Sequence, residues 1–315
     1  QLADTRLNQV QADLDSQVGS DVSEANTLLQ TVADLNEQIG RFETNHPGSA
    51  VDLRDQRQAA LEKLATKLPI QTTEAMDGQV EVSAVDGSGS PVVLVSLGAV
   101  QGTVAYDPST TPPSISAGSP ATVLALSAGS IQGSISARED AIQTLRDQLD
   151  SLASQLVTSV NEAYNPGGAG ANFFDPSGTT AGTLALASGL TPANLKASDG
   201  GASGDNTVAL AIAQLASKKF STSGTPADAI DGTFGNFYAG AVSGLGQALS
   251  GATARVNDQS RIEQLVRSQR DAVSGVSLDE EMADLMKYQR AFQASSKVFQ
   301  TIDNLLDVVV NQMGH

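Results

Sequence analysis

From Leu285 onward the chain places Leu285, Tyr288, Phe292, Ser295, Phe299, Ile302, Leu306, Val309 and Met313 in an unbroken alternation of three and four residues. That spacing keeps an apolar seam on one side of a helix and admits little besides a long helix packed along its length. A second stripe, Ala291, Ala294, Val298, Thr301, Leu305 and Val308, repeats the spacing about 100° around the helix axis. One partner helix cannot cover both stripes. Between Ala291 and the C-terminus the only formal charges are Lys297, Asp303 and Asp307, a thin solvated face for a surface helix. The pattern therefore predicts burial by other protein, with Leu285, Tyr288, Phe292, Phe299, Ile302, Leu306, Val309 and Met313 as the candidate assembly interface. Ser277 stands three residues before Glu280, with Glu281 and Asp284 following, so Ser277 and Glu280 read as a capping box at the helix start.

The rest of the chain is organised by changes of period. Leu7, Val10 and Leu14, then Ala25, Leu28, Val32, Leu35, Ile39 and Phe42, predict a long helix with a phase shift near Gly19, ending before Asn45-His46-Pro47-Gly48. A second helix from about Asp52 carries Leu53, Leu61, Leu64 and Leu68 inward and stops at Pro69, making a helical hairpin. From Ile70 the period changes to two: Val80, Val82 and Ala84 alternate, Asp86-Gly87-Ser88-Gly89-Ser90 turns, and Val92 to Val95 returns as the second arm of a β-hairpin. Further strand-like pieces near 100–104 and 123–126 flank a proline-rich loop at 108–113. Helix resumes at about Ser136 with Ile142, Leu145, Leu149, Leu152, Leu156 and Ala163 in register, until Asn165-Pro166-Gly167-Gly168. Gly and Ser then dominate to about Asp205, apart from a turn at 191–195, and a helix is expected from Asn206 to about Lys218. The final helices span about 233–273 and 277–313, hinged at Ser274-Gly275, and Val242, Leu245, Leu249, Ala252 and Val256 offer a seam for an antiparallel hairpin. The expected fold is mainly α, elongated and multidomain. Its parts are a helical body at 1–69 and 134–232, an inserted and separable β domain at 70–133, and a terminal hairpin or axial coiled-coil region at 233–315.

Eighteen basic against thirty-five acidic residues give a net charge of -17, which repels nucleic-acid phosphates and anionic membranes. No apolar run is long enough to insert in a membrane. Chemistry has little to build on. The two histidines, His46 and His315, lie in a turn and at the terminus, and the absence of cysteine removes disulfides and thiolates. Asp86 to Ser90 has oxygen ligands for calcium but lacks the closing bidentate Glu, so it reads as a turn. Asp52, Arg54, Asp55 and Arg57 read as charges that cap a helix start and favour its dipole. No catalytic residue, cofactor or metal is assigned.

Two sets of residues carry a family resemblance. Ser277 to Leu285 followed by Tyr288 to Ala294 resembles the C-terminal signature of bacterial flagellar axial proteins. Asp52-Leu53-Arg54-Asp55-Gln56-Arg57, Gly129-Ser130-Ile131-Gln132-Gly133, Arg138-Glu139-Asp140, Phe173-Phe174 and Gly204-Asp205-Asn206, in that order, resemble the hook-associated FlgK family. The resemblance implies a non-enzymatic subunit joining hook to filament. It would be extracellular after export through the flagellar secretion system, and homo-oligomeric in the junction. Its implied partners are hook protein, the second junction protein and an export chaperone, with no nucleic acid and no membrane insertion. Against that family pattern an N-terminal axial helix and about a hundred further residues are expected to be missing. A surface adhesin or glycan-binding module using the β insertion is the alternative from another class.

Overall fold

The computed structural model describes residues 1–44, 46–200, 203–274 and 278–312. They form two compact units, Gln1–Ala248 and Leu249–His315.

The first unit is organised on α1 (Leu2–Glu43), a helix of 42 residues that runs through Gly19 without a break. Side chains four apart tie its surface, as in Gln9 to Asp13 and Gln30 to Asp34. Its buried stripe is Val18, Val22, Ala25, Leu29, Val32, Asn36, Ile39 and Glu43, again alternating four and three. This corrects the expected inner face: Ala25, Val32, Leu35 and Ile39 are buried, but Phe42 is 62% exposed, and the stripe takes in two polar residues, Asn36 and Glu43. Helix α2 (Val51–Lys67) packs on α1 and buries Arg57, Ala60, Leu61 and Leu64.

Among the described residues the strands all fall between 71 and 123. β1 (Gln71–Glu74), β2 (Val80–Val85), β3 (Pro91–Ser96) and β4 (Ala99–Val100) make an antiparallel meander in the order β1-β2-β3-β4. A bulge interrupts the β2–β3 register between Val82 and Ser83. β5 (Ala105–Asp107), β6 (Ser114–Ala117) and β7 (Thr122–Val123) make a second sheet, joined to the first where the Ala125 N–H donates to the Val85 carbonyl at 2.9 Å. Val80, Val82 and Ala84 face inward as their alternation requires. They do not close a core of their own. Val82, Leu94, Val95 and Ile115 share one apolar cluster with Leu29 and Val32 of α1 and Leu64 of α2. Without the helices the inner faces of these short strands would be left in water.

Helix α3 (Gly129–Ser136) begins seven residues before the expected start, passes through a π-helical turn at Ala137–Ile142 and continues as α4 (Gln143–Tyr164). Gly129 permits the early start. Its φ is +91°, and a Cβ there would stand 2.4 Å from the Lys67 carbonyl oxygen. Gly129→Ala should accordingly lower stability by about 2 kcal/mol or more, whereas Gly133→Ala, with nothing within 4 Å, should be neutral or slightly stabilising. Urea unfolding of the two variants checks this, and equal midpoints would contradict it.

The loops from 165 to 232 are held by amide side chains standing in for strand partners. Asn161 donates to the Phe174 carbonyl at 3.0 Å and accepts from the Phe173 and Phe174 N–H groups, while Asn165 brackets Gly170 in the same way. Edge-on contacts link Tyr164, Phe173 and Phe174. Helix α5 (Thr207–Gln214) is shorter than expected and gives way to single turns up to Lys218. Helices α6 (Phe234–Ser274) and α7 (Leu278–Gln312) complete the chain. Among the described residues no helix is long and apolar enough to cross a membrane, and no group of His, Cys, Asp or Glu could hold a metal.

Candidate functional site

The acid and base cluster at the start of α2 is structural, but not in the way its spacing suggested. Ala50, the residue before α2, carries no side-chain cap; its N–H donates to Glu43 Oε1 at 3.1 Å. Arg54 grips both Glu43 oxygens, through Nε at 2.8 Å and a terminal nitrogen at 2.7 Å, and reaches Glu74. Arg57 is buried. It donates to Asn36 Oδ1 at 2.9 Å and to the Gly78 carbonyl at 2.6 Å. Asn36, also buried, donates to the Val80 carbonyl at 2.7 Å and accepts from its N–H at 3.1 Å. These polar groups lock the first hairpin of the β region onto both helices. A second tie holds the other end of α2: Asp21 accepts from Lys67 at 2.9 Å and from the Ser130 hydroxyl at 2.6 Å. Asp86 accepts from the N–H groups of Ser88 and Ser90, so it is a turn-former as expected.

Two carboxylates in these ties carry a pH dependence. The Arg54 guanidinium, helped by the Gly48 and Ala50 N–H groups, lowers Glu43 from 4.5 to about 2. Burial raises Asp21, but the Ser130, Lys67 and Gln17 contacts outweigh it and leave its pKa below 3.8. A depressed carboxylate stabilises the fold fully above its unfolded pKa, and that contribution is lost as pH falls through the folded value. The Glu43 contribution should therefore disappear between pH 4.5 and about 2. In urea titrations across that window, Glu43→Gln should remove part of the parent's fall in midpoint; an unchanged pH slope would contradict the assignment.

Among the described residues of the second unit no side chain is buried. On α7 the seam residues Leu285, Tyr288, Phe292, Phe299 and Ile302 are all exposed, Phe292 at 75% and Phe299 at 73%. By the helical rise they form an apolar ridge about 26 Å long. Ala291, Ala294, Val298 and Thr301 of the second stripe are exposed as well. Glu280, Leu306 and Val309 lie within α7, but their side chains are outside what is described, as are Ser277, Met313 and the hinge at Gly275. On α6, Val242, Leu245, Leu249, Ala252 and Val256 are likewise exposed. The expected antiparallel hairpin would bury both seams, whereas their described members are exposed. Ile262, Leu265 and Val266 extend the apolar surface of α6, a continuation the spacing after Val256 could have revealed.

Ion pairs run along the helices themselves, Arg267 with Glu263 at 2.7 Å and Lys287 with Asp284 at 3.6 Å. Such exposed pairs contribute little stability. An isolated helix without a buried face is marginal in water, and burying one large apolar side chain contributes about 1.5–3 kcal/mol.

The profile of the flagellar hook-associated protein FlgK helical domain matches residues 1–174, and that of the flagellar basal body rod FlgEFG protein C-terminal region matches residues 267–313. Flagellar hook-associated protein 1 of Bacillus subtilis is 27% identical over 98% of this chain and 68% of its own length. The protein of the same name from Salmonella typhimurium is 35% identical over 25% of this chain and 14% of its own. Among solved structures, the flagellar hook junction protein FlgK from Burkholderia pseudomallei aligns with a TM-score of 0.43 and 24% identity, covering 51% of this chain and 30% of that one. With a family profile spanning more than half of its residues, the chain belongs to the flagellar hook-associated protein FlgK family.

Proposed function

We propose that this protein is a structural subunit of the flagellar hook–filament junction, and that it assembles through the apolar seams of α7. The observation that carries this reading is the exposed ridge from Leu285 to Ile302, on a segment matched by the C-terminal profile of flagellar rod proteins. The same reading gives α7 a second stripe because an axial helix is enclosed by more than one neighbour. Residues 233–315 then act as the axial region. Copies of this chain, hook protein and the second junction protein are its neighbours, and an export chaperone covers the apolar seam before secretion. The role is mechanical and calls for no reaction. In cells lacking the native protein, a version ending at Gly275 should be absent from isolated hook–filament junctions, and its first unit should melt like the parent's. Normal incorporation of the shortened protein would overturn the proposal.

A further inference from the structure

Leu97 is the one non-glycine with a positive φ among the described residues, at +50°, and it is 81% exposed. With Gly98 at +72° it forms the two-residue turn between β3 and β4, where both positions are left-handed and Asn, Asp or Gly is favoured. Leucine accepts a local conformational cost there and gains no burial. Neither the turn nor the core accounts for it. The Leu97 side chain borders a cleft of about 710 Å³ that runs beside β3, with Gly118 to Thr122 as its far wall. That wall is held by backbone contact between Gly118 and Gly102, where a Cβ on Gly102 would come within 2.5 Å of the Gly118 carbonyl carbon.

The cleft lies along an open sheet edge. β4 pairs only with Val95 and Ser96, and the Gln101 N–H then donates to the Leu94 carbonyl at 2.8 Å. Among the described residues no strand follows on that side of Pro91 to Val93. At the Val85–Pro91 pair, the Val85 carbonyl turns outward to Ala125, so by antiparallel alternation the Pro91 carbonyl turns outward too, into the cleft. Val93 has the same phase two residues on. The lining includes Glu81 and Asp86 but no Lys or Arg, and it has no aromatic ring for a sugar to stack on.

We propose that this cleft docks an extended peptide segment of a partner protein in which lysine or arginine alternates with aliphatic residues. The segment adds to the open edge of β3 through its backbone, packs its aliphatic side chains on Leu97 and presents its cations to Glu81 and Asp86. The surface is separate from the α7 seam and does not depend on the junction reading.

The test is calorimetric titration of the full chain with the blocked hexapeptide Thr-Lys-Val-Lys-Val-Thr. Saturable binding below about 1 mM is expected. N-methylating the valine amides, or replacing both lysines by glutamate, should each weaken it by about tenfold or more. Leu97→Asn should weaken it by about fivefold or more while melting at the same or a higher temperature, because asparagine tolerates the left-handed turn. Three results would overturn the proposal: no binding of the hexapeptide, equal binding by the methylated peptide and the Leu97→Asn protein, or displacement of the peptide by an N-acetylglucosamine trisaccharide.

Discussion

Phe299→Asp should abolish incorporation into the hook–filament junction while leaving the melting of the first unit unchanged. Phe299 lies mid-ridge between Phe292 and Ile302 and is 73% exposed in the free chain, so an aspartate there meets water and costs little before assembly. After assembly the same carboxylate would be shut against apolar surface. The penalty for burying an unpaired polar group, about 3 kcal/mol, corresponds to roughly a hundredfold in association. Gln300→Asp is the matched control, because it adds the same charge on the helix face opposite both stripes. Quantifying both proteins on purified junctions reads the effect. Equal incorporation of Phe299→Asp and Gln300→Asp would remove α7 from the assembly mechanism.

Asn36→Leu should be the most damaging single change within the first unit, costing about 3–5 kcal/mol. It deletes the donor to the Val80 carbonyl and the acceptor shared by the Val80 N–H and Arg57, stranding a guanidinium that burial already penalises. The double variant Asn36→Leu with Arg57→Met should recover part of the loss by removing the stranded charge. It should not recover all, because the Val80 N–H and C=O and the Gly78 carbonyl keep no side-chain partner. Chemical denaturation of the two single variants and the double variant gives the coupling. Additive losses would show that the Asn36–Arg57 bond does not hold the hairpin to the helices.

These two predictions draw on different amounts of sequence information. The α7 ridge was legible because a helical seam is local: residues three and four apart share a face whatever surrounds them. The apolar members of the α1 stripe were legible for the same reason. Asn36 and Glu43 were not, since whether a polar side chain enters a core is decided by partners distant in the chain, here Val80 and Arg54. The periodic pattern passed over both and placed Phe42 inside. Asp52 does lie in the first turn of α2, but Arg54 and Arg57 were misread in the same way, because proximity to a helix start suggested a local role while their partners lie across the hairpin. Gly129 could not be placed from sequence either, because its requirement comes from the Lys67 carbonyl in the preceding helix. The strands followed from their alternation, but alternation says only that one face is buried, not against what. That is why the shared core with α1 and α2 was missed.

The central claim, that the α7 seam is open in the free chain and closed by neighbours in the flagellum, can be read directly because the chain has no cysteine. A single thiol placed by Phe292→Cys, and another by Gln300→Cys off the stripes, can be labelled with a maleimide in the purified protein and in isolated hook–filament junctions. Both sites should label rapidly in the free chain. In junctions, the Phe292→Cys thiol should slow by about a hundredfold or more relative to the free protein, as expected for a thiol sealed in a packed interface. Labelling of Phe292→Cys in junctions at its free-protein rate would contradict the claim.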